Sequence, residues 1–312
     1  MRQMITAAVM ALGLIAPPAM AQNADQSAGA TPAPDEIVVE GHRLQQALSD
    51  FVGVVSTPPN GEIQLARWDR RICVSVAGIR AQYGQFMVDR IAQRAFQVGL
   101  EAGAPGCTAN VLVLVTPDAN ALAQELVNND RPLLAAYESG TRGRDALDDF
   151  ASNTRPVRWW HVAQTVTADG QVVRGSTSLH AMSGGLSSGS GAVVRVGDMG
   201  RTRATTRQDF NRVVIIVDAT RAQGFQFAAL SDYVAMVALA QLDPSADTSQ
   251  FPSVLNLFTD QAAGRDVPVG MTDWDVAYLS GLYGARRNAA STRQQRRDIA
   301  HHMRGEVSTP TR

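Results

Sequence analysis

Five histidines, His42, His161, His180, His301 and His302, are the first residues to test for chemistry, since imidazole serves both as metal ligand and as base near neutral pH. None belongs to an H-E-x-x-H pair or to another spacing that puts two imidazoles on one helix face. His301 and His302 are adjacent, and adjacent helical residues point in different directions. The sequence therefore predicts no metal and no cofactor. A serine nucleophile is equally unsupported: Gly189-Ser190-Gly191 sits in the glycine-serine run 183–191 rather than on a strand-to-helix elbow, and G-x-S-x-G does not occur. That run matches no phosphate-binding fingerprint either and reads as a loop tip. His161 follows Trp159-Trp160 in an alternating stretch and reads as a sheet-face residue. Two carboxylates remain as catalytic candidates. Asp232 stands in an otherwise apolar helix, where a buried carboxylate needs an arginine partner or a pocket, and Asp275 lies at the start of a later helix. A cleft gathering two acids and a histidine would favour a hydrolase.

The two cysteines, Cys73 and Cys107, have no histidine nearby to make either a thiolate nucleophile. As an even pair they predict one structural disulfide, worth roughly 3–4 kcal/mol in the chain-entropy model.

The elements that must position these groups follow from periodicity. Residues 71–76 and the continuous apolar run 110–115 read as strands, the second buried on both faces. Between them, residues 82–101 form a helical stripe of Val88, Ile91, Ala95 and Val98, with Arg90, Arg94, Gln97 and Glu101 opposite and a stop at 103–106. Thr116-Pro117-Asp118 begins another helix. This β-α-β-α order predicts parallel strands with a right-handed crossover. Residues 157–167 alternate and turn at Asp169-Gly170, 192–196 read as a returning strand, and 213–217 form a second wholly apolar strand. Phe227 to Leu242 is apolar on nearly every side and predicts a buried helix. Thr272 caps a last helix, with Asp273 and Asp275 in its first turn. The expected fold is α/β, a mixed sheet with packed helices in a single domain.

Residues 1–21 combine Arg2, an apolar run from Ile5 to Ala16 and the small-x-small end Ala19-Met20-Ala21, the pattern of a cleaved export signal. The reading is thus 1–21 signal, 22–61 flexible leader with a β-prone segment at 36–41, 62–285 globular domain, and 286–312 a basic polar tail. It implies a periplasmic or secreted protein of Gram-negative type, with no integral membrane segment after cleavage. The 28 basic residues are all arginine, against 29 acids, for a net charge of -1, which gives no drive toward nucleic acid. The arginines of the tail, among them Arg293, Arg296 and Arg297, could meet an anionic lipid or polymer, although a solvated face is the simpler reading.

Two stretches carry resemblances. Glu36-Ile37-Val38-Val39-Glu40-Gly41 is similar to the mature N-terminal segment of TonB-dependent outer-membrane receptors, departing from it at Glu40. That resemblance implies that Ile37, Val38 and Val39 are offered to an envelope partner as an extended strand. Residues 213–283 run apolar strand, buried helix, S-x-L-x-L-F segment and T-D-W-D helix, an order that resembles secreted proteobacterial proteins distantly similar to zincin metallopeptidases. By that resemblance Ser231, Asp232 and Ala235 stand where the first histidine, the glutamate and the second histidine of H-E-x-x-H would be, which implies a zincin-like scaffold without its metal site. The leading expectation is a non-catalytic binding protein for a peptide or envelope partner. A divergent hydrolase and an accessory of a TonB-dependent system are the alternatives.

Overall fold

The computed structural model describes residues 34–135, 140–173 and 203–307. The signal at 1–21, the loop 183–191 and the strand expected at 192–196 lie outside them.

Three apolar runs build the sheet. β1 (Val74–Ala77), β2 (Val111–Thr116) and β4 (Thr206–Asp218) are parallel, and β3 (Val157–Thr167) is antiparallel to β4, in the order β1-β2-β4-β3. The helix α2 (Ala81–Gln97) crosses from β1 to β2, as the β-α-β pattern required. The two faces of β4 are buried against different partners. Val213, Ile215 and Val217 join the larger core under α2 and α6 (Phe227–Leu239), whereas Val214 and Ile216 join a smaller one under α3 (Ala119–Asn129), α4 (Arg131–Leu134) and α5 (Arg144–Ser152). Strands covered on both sides have no polar alternation, which is why they were legible as continuous apolar runs. Residues 41–307 thus hold one α/β unit with a mixed sheet between layers of helices.

The disulfide joins Cys73 to Cys107, with 6.0 Å between their Cα atoms. It fastens the entry of β1 to the turn before β2, where the Cys73 carbonyl also accepts from the N–H groups of Asn110 and Val111.

Three places differ from the sequence reading. The β-prone residues 36–41 are helical, within α1 (Pro34–Val55), so Ile37, Val38 and Val39 are not an extended strand here. Farther along α1, Leu48, Phe51, Val52 and Val55 are fully buried, so the folded unit starts well before residue 62. The polar tail is α9 (Thr292–Val307), whose Ile299, Ala300 and Met303 pack into the core beside α8 (Asp273–Gly284). Lastly α2 ends at Gln97, four residues before the expected end at 101, with Val98 as its cap and Gly99 in the left-handed conformation (φ 79°).

Candidate functional site

Asp232 is fixed by three elements. It sits mid-way along α6 with no side-chain exposure, and α2 brings two arginines to it from about 140 residues away in sequence. Each guanidinium makes a two-pronged contact: Arg90 Nε and Nη2, and Arg94 Nε and Nη2, all reach the carboxylate oxygens at 2.8 Å. The Met271 N–H donates to Oδ2 at 3.0 Å from the loop before α8. Residue 270 must be glycine for this approach, since a Cβ there would stand 2.7 Å from Oδ2. Burial pushes the Asp232 carboxyl up, but the hydrogen bonds from Arg94 and Arg90 outweigh it and hold the pKa below the ordinary aspartate value. The group is an ionised clamp at the floor of an open cleft of about 1180 Å³ walled by residues 249–272. A carboxylate so held has no accessible lone pair and no proton to give, so it is neither a base nor an acid. Its helical neighbour Ser231 donates to the Phe227 carbonyl, and Ala235 is fully buried.

Asp275 is buried in the same degree and serves a different end. It belongs to the capping box of α8: Thr272 Oγ1 accepts from the Asp275 N–H, while Oδ2 accepts from the Thr272 N–H at 2.9 Å. The same carboxylate takes the Ser253 hydroxyl at 2.6 Å and the Val254 N–H at 2.7 Å, tying α8 to the turn at 253–256. No cation among the described residues pairs with it, and burial raises its pKa above the ordinary value against those hydrogen bonds. Asp232 and Asp275 thus have separate sets of partners, and of the two it is Asp232 that lines the cleft. Among the described residues no group of three His, Cys, Asp or Glu side chains converges as a metal site.

A second concavity lies where little in the sequence signalled one. A pocket of about 370 Å³ wraps around the outer edge of β3, and Trp159 and His161 line it from one sheet face, Trp160 and Phe150 from the other. Its rim carries Arg142, paired to Asp243 at 3.0 Å, and Arg155, paired to Asp149. The pocket thus contains Asp145, Asp149 and His161. His161 is not poised as a base, however. Its Nε2–H donates to the Val237 carbonyl at 2.9 Å, and burial pushes its pKa down to about 4, so it is neutral and weakly basic at neutral pH. Ser245, also in the lining, gives its hydroxyl to Asp243 rather than to the imidazole.

Among the described residues the edge has main-chain groups without a strand partner. In β4 the Val213 N–H points to β2, bonding the Asn110 carbonyl, and the Asp218 N–H bonds Pro156 at the base of β3. With Trp159 opposite Ile215, the ladder then places the main-chain groups of Val157, Trp159 and His161 on the side away from β4. The bulge at Val162/Ala163 ends this stretch, because the Ala163 N–H is taken by Gly140 at 2.8 Å. Among the described residues no strand pairs with 157–161 on that side. The indole Nε1 of Trp159 is buried beside the pocket without a hydrogen-bond partner.

No family model, curated protein or solved structure matches the chain, so the functional reading rests on this geometry.

Proposed function

We propose that the protein is an exported, non-catalytic binding protein that holds an extended peptide segment, free or belonging to an envelope protein, along residues 157–161 of β3. The observation that carries this reading is that no strand among the described residues pairs with 157–161 on the side of β3 that opens into a pocket. An edge strand offers its N–H and C=O groups as a template for one more strand, while flanking pockets select side chains. Here the aromatic walls of Trp159, Trp160 and Phe150 suit an apolar side chain. The absence of chemistry in the proposal is supported by how the candidate groups are spent: Asp232 on two arginines, Asp275 on a helix cap, His161 on a carbonyl. On the zincin-like layout, α6 would be a metallopeptidase helix that has kept its place under the sheet and exchanged metal ligation for an ion cluster. No helix among the described residues is long and apolar enough to cross a membrane.

A second reading is favoured by one observation: Asp145, Asp149 and His161 line the same pocket, the set a divergent hydrolase would need. One experiment separates the two. The protein is incubated with a random decapeptide library, retained peptides are identified by mass, and amide exchange is followed at Trp159 and His161. Intact retained peptides that slow exchange at those two amides fit the binding reading. Shortened peptides that disappear with His161→Gln would replace it by the hydrolase. Retention without protection at β3 would move the site elsewhere.

A further inference from the structure

The helix α9 places its cations against the electrostatic preference of a helix. Its first six residues include Arg293, Arg296 and Arg297 and no acid, although the N-terminal turn carries partial positive charge and favours carboxylates. These three side chains share one pocket of about 440 Å³ with Thr292 of α9 and with Ser49 and Gly53 of α1. Its lining contains no negative group. Arg296 is anchored, with Nε on the Ser56 hydroxyl at 3.0 Å and Nη2 on the Ser56 carbonyl at 2.5 Å. Arg293 and Arg297 are exposed and have no partner among the described residues.

The nearest acids in sequence are committed elsewhere. Asp50 on α1 accepts from Gln46 at 2.8 Å, and Asp298 on α9 accepts from the Arg286 N–H at 3.1 Å. Across the pocket stands Gly53, inside a helix, where glycine is a destabilising choice. Nothing lies within 4 Å of the Cβ it lacks, so crowding does not explain the glycine; the missing side chain leaves the floor of the pocket open.

The geometry points to a phosphate-binding site between α1 and α9. Two guanidinium groups with no partner among the described residues, and a third held by Ser56, suit an anion with several oxygens spread in three dimensions. A phosphate monoester and the headgroup phosphate of an anionic lipid share that chemistry.

The test uses inorganic phosphate by titration calorimetry and vesicles of phosphatidylglycerol against phosphatidylcholine by co-sedimentation, both near physiological salt. The expected result is saturable binding to at least one of the phosphate-bearing probes, at least tenfold weaker in the double variant Arg293→Gln/Arg297→Gln and in Gly53→Leu. The glycine variant keeps every charge and fills only the pocket. Heat with inorganic phosphate assigns the site to a soluble phosphorylated ligand, and binding to the anionic vesicles alone assigns it to lipid. The double variant changes only exposed side chains, and without phosphate it should melt at a higher temperature than wild type because crowded cations have been removed. Binding to neither probe overturns the proposal, as does binding that both variants retain.

Discussion

Asp232 and Asp275 are the same residue, both without side-chain exposure, on the neighbouring helices α6 and α8, and their environments push their carboxyls in opposite directions. Around Asp232 two arginines make the charge welcome, so burial is overridden and the pKa falls. Around Asp275 only neutral donors are present, from Thr272, Ser253 and Val254, and burial wins. The contrast separates two jobs that a buried acid can have. One is an electrostatic rivet between elements distant in sequence, and the other is a local splice that ends one turn and begins a helix. Neither is catalysis, although lone acids on buried helices are where catalysis is first sought.

The largest effect should come from removing the rivet. Asp232→Ala leaves Arg90 and Arg94 facing each other beside the core without a counter-charge, and should cost about 3–5 kcal/mol by urea denaturation. The splice should be less sensitive. Asp275→Asn keeps one oxygen for the backbone donors and loses charge assistance, for about 1–2 kcal/mol. If the two losses came out equal, the opposition between charge-paired and neutral-paired acids would be wrong.

The positions of these acids on their helices were readable, whereas their partners were not. The apolar run 227–242 announced α6, and Thr272 with two acids announced the cap of α8, because those signals are local. Arg90 and Arg94 read as the face of α2 opposite a stripe of Val88, Ile91, Ala95 and Val98. Ile91 and Ala95 are buried as expected, but the stripe is completed by Gly84 and Met87 rather than Val88 and Val98, which turns the core face toward Arg94, leaving its side chain only 12% exposed. Nothing near residue 90 signals an acid 142 positions later. α1 and α9 were missed for a related reason. The run Ile37-Val38-Val39 favours strand locally, and the described buried residues of α1 begin only at Leu48; in α9, Ile299 and Met303 are isolated among polar neighbours, so the stripe that packs into the core is sparse. The edge pocket of β3 left its signal in Trp159-Trp160-His161, which revealed the strand but not that it would lie at the rim of the sheet.

The comparison can also be broken by removing the charge altogether. If Asp232 is a structural rivet, the triple variant Arg90→Met, Arg94→Met, Asp232→Leu should recover most of the loss and return to within about 1 kcal/mol of wild type, since apolar packing can replace a buried ion cluster. If Asp232 does chemistry that peptide assays can detect, this stable variant would lose it, and the rivet interpretation would fail even though the fold survived.

The smallest and most discriminating effect is in acid. The folded pKa of Asp232 lies below its unfolded value, so its contribution to stability is present above the ordinary aspartate range and is lost as pH falls through the folded pKa. Asp275 has the reverse sign: its folded pKa is raised, the folded state holds the proton more tightly, and its contribution declines as pH rises from the ordinary value through the raised one. Urea midpoints taken between about pH 3 and pH 7 should therefore diverge. The deficit of Asp232→Asn relative to wild type should shrink on acidification, while that of Asp275→Asn should grow. Parallel profiles would mean that the arginines do not set the Asp232 charge and that burial alone governs both sites, making the two carboxyls variants of one splice.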